Sequence, residues 1–296
     1  MNVATSDWTK LGLIGGGGDL PVRIAEVCRD SGKPVHVIRL RSYADPRLQA
    51  FSGDECGIAE VGKLIGLLKE NECDAVLLAG IVTRPNFSAL RPDFRGAKLL
   101  PKVLAAAGKG DDALLSVIVA EFEADGFTVL GADDIVTDLV AVSGAYGAYT
   151  PQKEHFADMA KARALVSAIG PFDVGQGAVV CDGLVLAVEA AEGTDAMLSR
   201  CADLSGELRG AADARRGVLL KTPKPGQERR VDLPTIGVST IERAAAAGLA
   251  GVAVAAGAAL VMDRDGVAEA ADAHGLFVYG FHADELDGVD EEPAPH

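Results

Sequence analysis

Leu11–Pro21 reads LGLIGGGGDLP, an apolar run that breaks into four consecutive glycines, Gly15, Gly16, Gly17 and Gly18, and continues into a segment able to start a helix. A buried strand, a glycine turn and a returning helix are the opening unit of a parallel α/β sheet. The same alternation continues outward. A helix is expected from about Leu20 to Ser31, then the strand VHVIRL, a helix near Ala59 to Asn71, and the buried strand AVLLAG. Helices near Gly96 to Ala107 and Asp111 to Asp125 follow, and the strand FTVL precedes Gly131. The spacing predicts an α/β fold whose first domain, residues 10–143, is a Rossmann-like parallel sheet.

SGAYGAYTPQ, from Ser143 to Gln152, lacks apolar periodicity and ends in a Thr-Pro helix start, which marks the domain boundary. After a helix from Pro151 to Ile169 comes GAVVCDGLVLAVEA, two apolar runs joined by Asp182-Gly183. That dipeptide predicts a two-residue hairpin, since a type I′ turn needs positive φ at both central residues. GVLLKT, GVAVAAG, ALVMD and LFVYG read as further strands, with helices at Thr240 to Ala247 and Gly266 to His274. Residues 144–283 are therefore expected to form a mixed α/β domain. Residues 284–296 read as an acidic, disordered tail.

Composition narrows the function. A chain of 296 residues, 49% hydrophobic and 24% charged, is long enough for two globular domains. Its formal net charge of -15 argues against nucleic acid, which is gripped by excess Lys and Arg. An anionic ligand would need backbone N–H groups, a few placed cations or a divalent metal. Five dispersed cysteines without a C-x-x-C pair suggest reduced thiols, and Met1 to Lys10 lacks the pattern of a signal peptide, so a cytoplasmic location is expected. Ala244 to Met262 is uncharged and long enough to cross a bilayer, yet its glycines and its Val252 and Val254 favour a helix end, a turn and buried strands.

The motifs point to phosphate. The glycine turn at Gly15–Gly18 lets the backbone approach a phosphate ahead of a helix N-terminus. Leu20 and Pro21 stand where a dinucleotide fingerprint requires glycine, and Arg39 and Arg41 replace the acid expected after the second strand, which weakens an oxidoreductase reading. The loop after AVLLAG gathers Arg84, Arg91, Arg95, Lys98 and Lys102, and GKGDDALL opens a helix with Asp111 and Asp112. Further on, Gly175, Gln176 and Gly177 precede a strand, and AVEAAEGTDAML clusters Glu189, Glu192, Thr194 and Asp195. Magnesium takes one or two carboxylates together with substrate phosphates and water, so these acids are metal candidates; capping of the following helix is the structural alternative. KTPKPGQERRVDLPTIG sets Lys221, Lys224, Gln227, Arg229 and Arg230 before the lone acid Asp232 and then Thr235, an arrangement suited to a diphosphate. The five histidines lack H-x-x-x-H spacing, and neither a G-x-S-x-G elbow nor a Walker P-loop occurs.

In order and spacing, LGLIGGGGDLP, RLRSYADP, AGIVTRPNFSALRPD, KGDDALL, DVGQGAVV with LVLAVEAAEGTDAML, and KTPKPGQERRVDLPTIG resemble one family over roughly Leu11 to Gly280. It is the UDP-2,3-diacylglucosamine pyrophosphatase family of lipid A biosynthesis, the type unrelated to the metallophosphoesterase. The resemblance implies a magnesium-dependent (Mg2+) hydrolase that splits UDP-2,3-diacylglucosamine into UMP and 2,3-diacylglucosamine 1-phosphate (lipid X), with the substrate held between two domains. It implies that Asp232 is central to catalysis, as metal ligand or water-orienting base, and that water attacks the sugar-side phosphorus. Asp195, Glu189, Glu192 and Asp112 are the further metal candidates. Gly15, Gly16, Gly17, Gly18, Gln176, Thr194, Lys221, Lys224, Gln227 and Thr235 are the substrate-contact candidates. A lipid-linked UDP-sugar would bring the protein into transient contact with the inner membrane surface, and a homodimer is the commonest state of a soluble oligomer. The sequence departs from the family at its ends, in MNVATSDWT and the acidic tail. The competing readings are a non-catalytic nucleotide-sugar sensor and a Rossmann-type NAD(P) oxidoreductase.

Overall fold

The computed structural model of the chain describes residues 8–83 and 85–289, so the start MNVATSD, Arg84 and the tail from residue 290 lie outside the described residues. The chain forms two compact units: the first runs to Thr137 and also takes in Glu228–Asp232, and the second comprises Asp138–Gln227 and the chain from Leu233 onward.

The first unit alternates strand and helix. Its elements are β1 (Leu11–Gly15), α1 (Asp19–Asp30), β2 (Val35–Leu40), β3 (Gly53–Cys56), α2 (Val61–Glu70), β4 (Ala75–Ala79), α3 (Phe94–Ala107), α4 (Asp111–Ala124) and β5 (Thr128–Leu130). The five strands are parallel in the order β3-β2-β1-β4-β5. Because successive strand residues face opposite ways, Ile14, Ile38 and Val76 pack with Leu64, Ile65 and Leu68 of α2 and with Val119 and Phe122 of α4. The chain order reverses between β1 and β4, and the crevice beyond their carboxyl ends is where open α/β sheets take ligands. The strand of this unit not foreseen from sequence, β3, reads GDEC and offers no apolar alternation to detect.

The second unit contains β6 (Gly144–Ala145), α5 (Lys153–Ile169), β7 (Gly177–Cys181), β8 (Leu184–Val188), α6 (Gly193–Ala202), β9 (Val218–Lys221), β10 (Thr235–Ile236), α7 (Val238–Ala246), β11 (Gly251–Ala255), β12 (Leu260–Val261), α8 (Arg264–His274) and β13 (Phe277–Phe281). Six strands form one mixed sheet, β6-β13-β11-β9-β7-β8, and β10 pairs with β12. Alternate residues divide between its faces. Ala178, Val180, Val218 and Leu220 meet Met159, Ala162 and Val166 of α5. Val179, Leu219, Val252 and Val254 meet Met197 and Leu198 of α6, Ile241 of α7 and Val267 of α8.

The uncharged run from Ala244 is thus the end of α7, a glycine turn and buried strands. Among the described residues, no helix is long and apolar enough to cross a membrane. All five cysteines are buried and unbridged. The expected disorder does not extend to the described residues after 283: Leu286 is only 4% exposed and packs with the α5 core, and Asp287 pairs with Arg163, while the rest of the expected tail lies outside the described residues.

The β7–β8 hairpin turns through Asp182 and Gly183, at φ 50° and 77°. Asp158 of α5, 3% exposed, accepts both turn N–H groups, at 3.0 Å from Asp182 and 2.7 Å from Gly183. Asp158→Ala is expected to lower unfolding free energy by about 2 kcal/mol in urea titration, the worth of two hydrogen bonds to a charged acceptor, partly offset by hydration of the turn. Burial raises the Asp158 carboxyl above its ordinary value. Between those two values the folded state holds the proton that the unfolded state has lost, so this group makes stability fall as pH rises; Asp158→Asn should flatten that slope.

Candidate active site

The edge of the second unit's sheet where β9 ends and β7 begins carries most of the candidate residues of that unit. Lys221, the last residue of β9, is buried, and in the antiparallel register it stands opposite Gly177. Its ammonium donates to the Thr194 hydroxyl at 2.6 Å, and that hydroxyl donates to Glu189 Oε1, also at 2.6 Å. A longer contact of 3.5 Å runs from Lys221 Nζ to the carbonyl of Thr235, and Nζ stands 3.7 Å from Glu189 Oε1. Four positions read from two motifs, Glu189 and Thr194 from one and Lys221 and Thr235 from the other, thus meet in one charge-balanced group. Glycine at 177 leaves room for this group: a Cβ there would lie 2.8 Å from Glu189 Oε2 and would press on the carboxylate.

The same edge continues through Gln176, whose carbonyl accepts from the Thr222 N–H at 2.9 Å. Lys224 pairs with Asp173, and its backbone N–H donates to the Gln227 side chain at 2.8 Å. Asp173 was not foreseen. It sits in the left-handed region at φ 55°, a conformation Asp tolerates better than most residues, and an acid in PFDVGQG was the available signal. A predominance of carboxylate partners around Lys221 and Lys224 leaves two compensated cations rather than a bare basic patch.

Asp232 belongs with the first unit. Glu228–Asp232 is held there by the Glu228 N–H on Asp112 Oδ1 at 2.7 Å and by Arg230 on Glu123 at 2.7 Å. Arg230 also grips Glu228, keeping that carboxyl below its usual range. Close by, a Cβ on Gly131 would lie 3.4 Å from the Arg230 Cα. Asp133, in the turn after β5, was also missed: burial pushes its carboxyl up, tempered by Arg229. The sequence signal was the pair in GADD.

The glycine turn is shaped by backbone packing. Gly16 and Gly17 donate to the carbonyls of Ala79 and Ile81, and a Cβ on Gly80 would lie 2.6 Å from the Gly17 carbonyl. Those two N–H groups are therefore committed to the protein. What remains toward a phosphate is the start of α1 after Gly18, which has no side-chain cap. Arg39 donates to the carbonyls of Phe51 and Gly53, and Arg41 bonds Glu55 and Glu60, so both cations, one in β2 and one just after it, are structural. The oxidoreductase reading finds no support in them.

Of the other metal candidates, Glu192 pairs with Arg200 and Asp195 with Arg243. Among the described residues no three His, Cys, Asp or Glu side chains converge as a metal group. Glu189 Oε2 is buried without a hydrogen-bond partner, but a cation placed on that carboxylate would share it with the Lys221 ammonium. Glu189, Glu192 and Asp195 thus each face a different cation of the chain rather than converging on one shared point.

Two family models match the chain, the LpxI N-terminal domain over residues 10–139 and the LpxI C-terminal domain over residues 142–279. The chain belongs to the LpxI family. It is 55% identical to the UDP-2,3-diacylglucosamine pyrophosphatase LpxI of Caulobacter vibrioides over 276 residues, 93% of this chain and 99% of that relative. Within the LpxI C-terminal domain lies the whole Glu189–Thr194–Lys221 group, and Asp232 falls within the same matched span.

Lys221→Met should leave Glu189 buried and uncompensated, at a cost of about 3–5 kcal/mol in chemical denaturation. Combining it with Glu189→Gln should recover most of that loss, a coupling read from the double-mutant cycle.

Proposed function

We propose that the protein hydrolyses the diphosphate of UDP-2,3-diacylglucosamine to UMP and 2,3-diacylglucosamine 1-phosphate, a step of lipid A biosynthesis. The observation that carries this reading is the 55% identity to a UDP-2,3-diacylglucosamine pyrophosphatase across nearly the full length of both chains. The chemistry of the residues supports it. Diphosphate cleavage needs charge stabilisation and a positioned water more than a covalent nucleophile.

Lys221 is the group suited to the phosphoryl oxygens. Thr194 and Glu189 hold its ammonium in place, so little reorganisation is required when negative charge develops beside it. Lys224, fixed by Asp173, offers a second cation on the same edge. Asp232 is assigned the water: its carboxylate takes a proton as the water oxygen bonds to the sugar-side phosphorus. The bridging P–O bond breaks, and UMP leaves with the bridging oxygen. Phosphate is a stable leaving group, so no strong acid is called for.

Magnesium enters this reading as the counter-ion of the diphosphate, bound with the substrate through phosphate oxygens, water and one or two carboxylates. The place of work is the cytoplasmic face of the inner membrane, with transient contact to the lipid surface, and a homodimer is the proposed solution state.

The test is UMP release from UDP-2,3-diacylglucosamine with magnesium or with EDTA, alongside Asp232→Ala shown to melt at the wild-type temperature. Turnover that needs magnesium and falls by at least about a thousandfold in the variant is expected, roughly what loss of a water-positioning base together with its charge entails. Tight binding of the UDP-sugar without turnover by the wild type would instead establish a sensor.

A further inference from the structure

Helix α3, FRGAKLLPKVLAAA, contains no acid in a chain of formal net charge -15. Gly96, Leu99, Ala106 and Ala107 are its buried side, and Arg95 is held by Glu121 and Asp125. At about 100° per residue, Leu104, Ala97, Pro101, Phe94 and Ala105 fall next to one another on the opposite side. Lys98 and Lys102 run along one flank of that stripe. Each of these side chains is exposed, Phe94 by 90% and Leu104 by 46%.

Phe94 gains almost nothing from folding, since its ring stays in water. Asp93 caps the helix beneath it, accepting the Gly96 N–H at 2.8 Å and the Lys63 N–H at 2.8 Å, so the ring is displayed from an anchored turn. An apolar stripe with lysines on its margin is the pattern of a helix lying in a membrane interface. The apolar side chains enter the acyl boundary while the lysine stems lie along it and the ammonium groups reach lipid phosphates. The other candidate occupants fit less well. A second copy related by a two-fold axis would set the same lysines against each other. An acyl chain of the substrate needs a concave wall, and a single helix face is convex. An anionic bilayer repels a chain of net charge -15 as a whole and attracts this acid-free, lysine-flanked face, which biases the orientation of approach.

We propose that the outer face of α3 docks the protein on an anionic lipid bilayer, with Phe94 and Leu104 inserted and Lys98 and Lys102 on headgroup phosphates. The inference deepens the proposed activity, and rests on it for the reason a diacylated substrate would be met at that surface. The surface itself rests on exposure and charge.

The experiment is co-sedimentation of the full chain with phosphatidylethanolamine–phosphatidylglycerol vesicles and with neutral phosphatidylcholine vesicles, paired with UMP release in detergent micelles. Wild type is expected to partition onto the anionic vesicles and to be released by salt. Phe94→Ser with Leu104→Ser should weaken partitioning by about tenfold or more, while turnover of micellar substrate stays unchanged. Lys98→Gln and Lys102→Gln should each weaken it about fivefold. Equal binding of wild type to both vesicles, or equal binding of the serine variant and wild type, would overturn the proposal. So would a serine variant that changes only from dimer to monomer in sedimentation velocity, which would make the face an interface between copies. Vesicle binding that depends on these residues in a chain that releases no UMP would leave the docking surface standing and remove the proposed activity.

Discussion

A lysine ammonium withdrawn from water must be balanced where it sits, and that requirement organises the functional edge of the second unit. Lys221 ends a strand buried on both faces, so its charge cannot reach bulk solvent. The balance comes from Glu189 through the Thr194 hydroxyl, which donates to the carboxylate while accepting from the ammonium. Three elements are tied to that demand: the end of β9, the residue after β8 and the first turn of α6. The glycine opposite, Gly177, suits the same group, because a side chain there would crowd the carboxylate.

The pairing also explains why the acids of AVEAAEGTDAML divide between roles. Glu189 faces inward as the partner of Lys221, while Glu192 and Asp195 face Arg200 and Arg243 at the surface. Proximity in sequence suggested a shared metal; the helix that begins at Gly193 turns successive residues about 100° apart and separates them. A binding edge made of compensated cations has a functional logic. Lys221 and Lys224 keep fixed positions before any ligand arrives, and a diphosphate that displaces neither partner meets donors already oriented.

Nearly all of the regular structure was legible because it depends on local periodicity. Alternation in GAVVC and VLLK, and the Asp182-Gly183 turn, leave few alternatives for the strands and the hairpin. GDEC formed a strand on the strength of an edge position beside β2, a tertiary effect with no local signal. The site was legible in its members and not in its connections. Lys221, Thr194 and Glu189 were singled out, but that they bind one another follows from sheet register. Arg39 and Arg41, which stand where a dinucleotide site needs an acid, are committed to carbonyls and carboxylates of their own unit. The glycine turn was read as a phosphate cradle; backbone packing against Gly80 and Ile81 is a second and sufficient reason for its composition.

Charge distribution connects these observations. A chain of net charge -15 that handles an anionic lipid must confine its favourable potential to small areas. It does so in two physically different ways. At the sheet edge the cations are buried and individually matched with acids, so their effect is short in range and acts on a ligand already in contact. On α3 the lysines are exposed beside apolar side chains and stand in a helix without acids, so their field extends to about a Debye length and acts on an approaching surface. The first arrangement suits recognition of a phosphate group, the second suits orientation toward a charged plane. Because the chain as a whole is acidic, net repulsion from an anionic plane opposes most orientations, and a local attraction at one face biases the approach toward it.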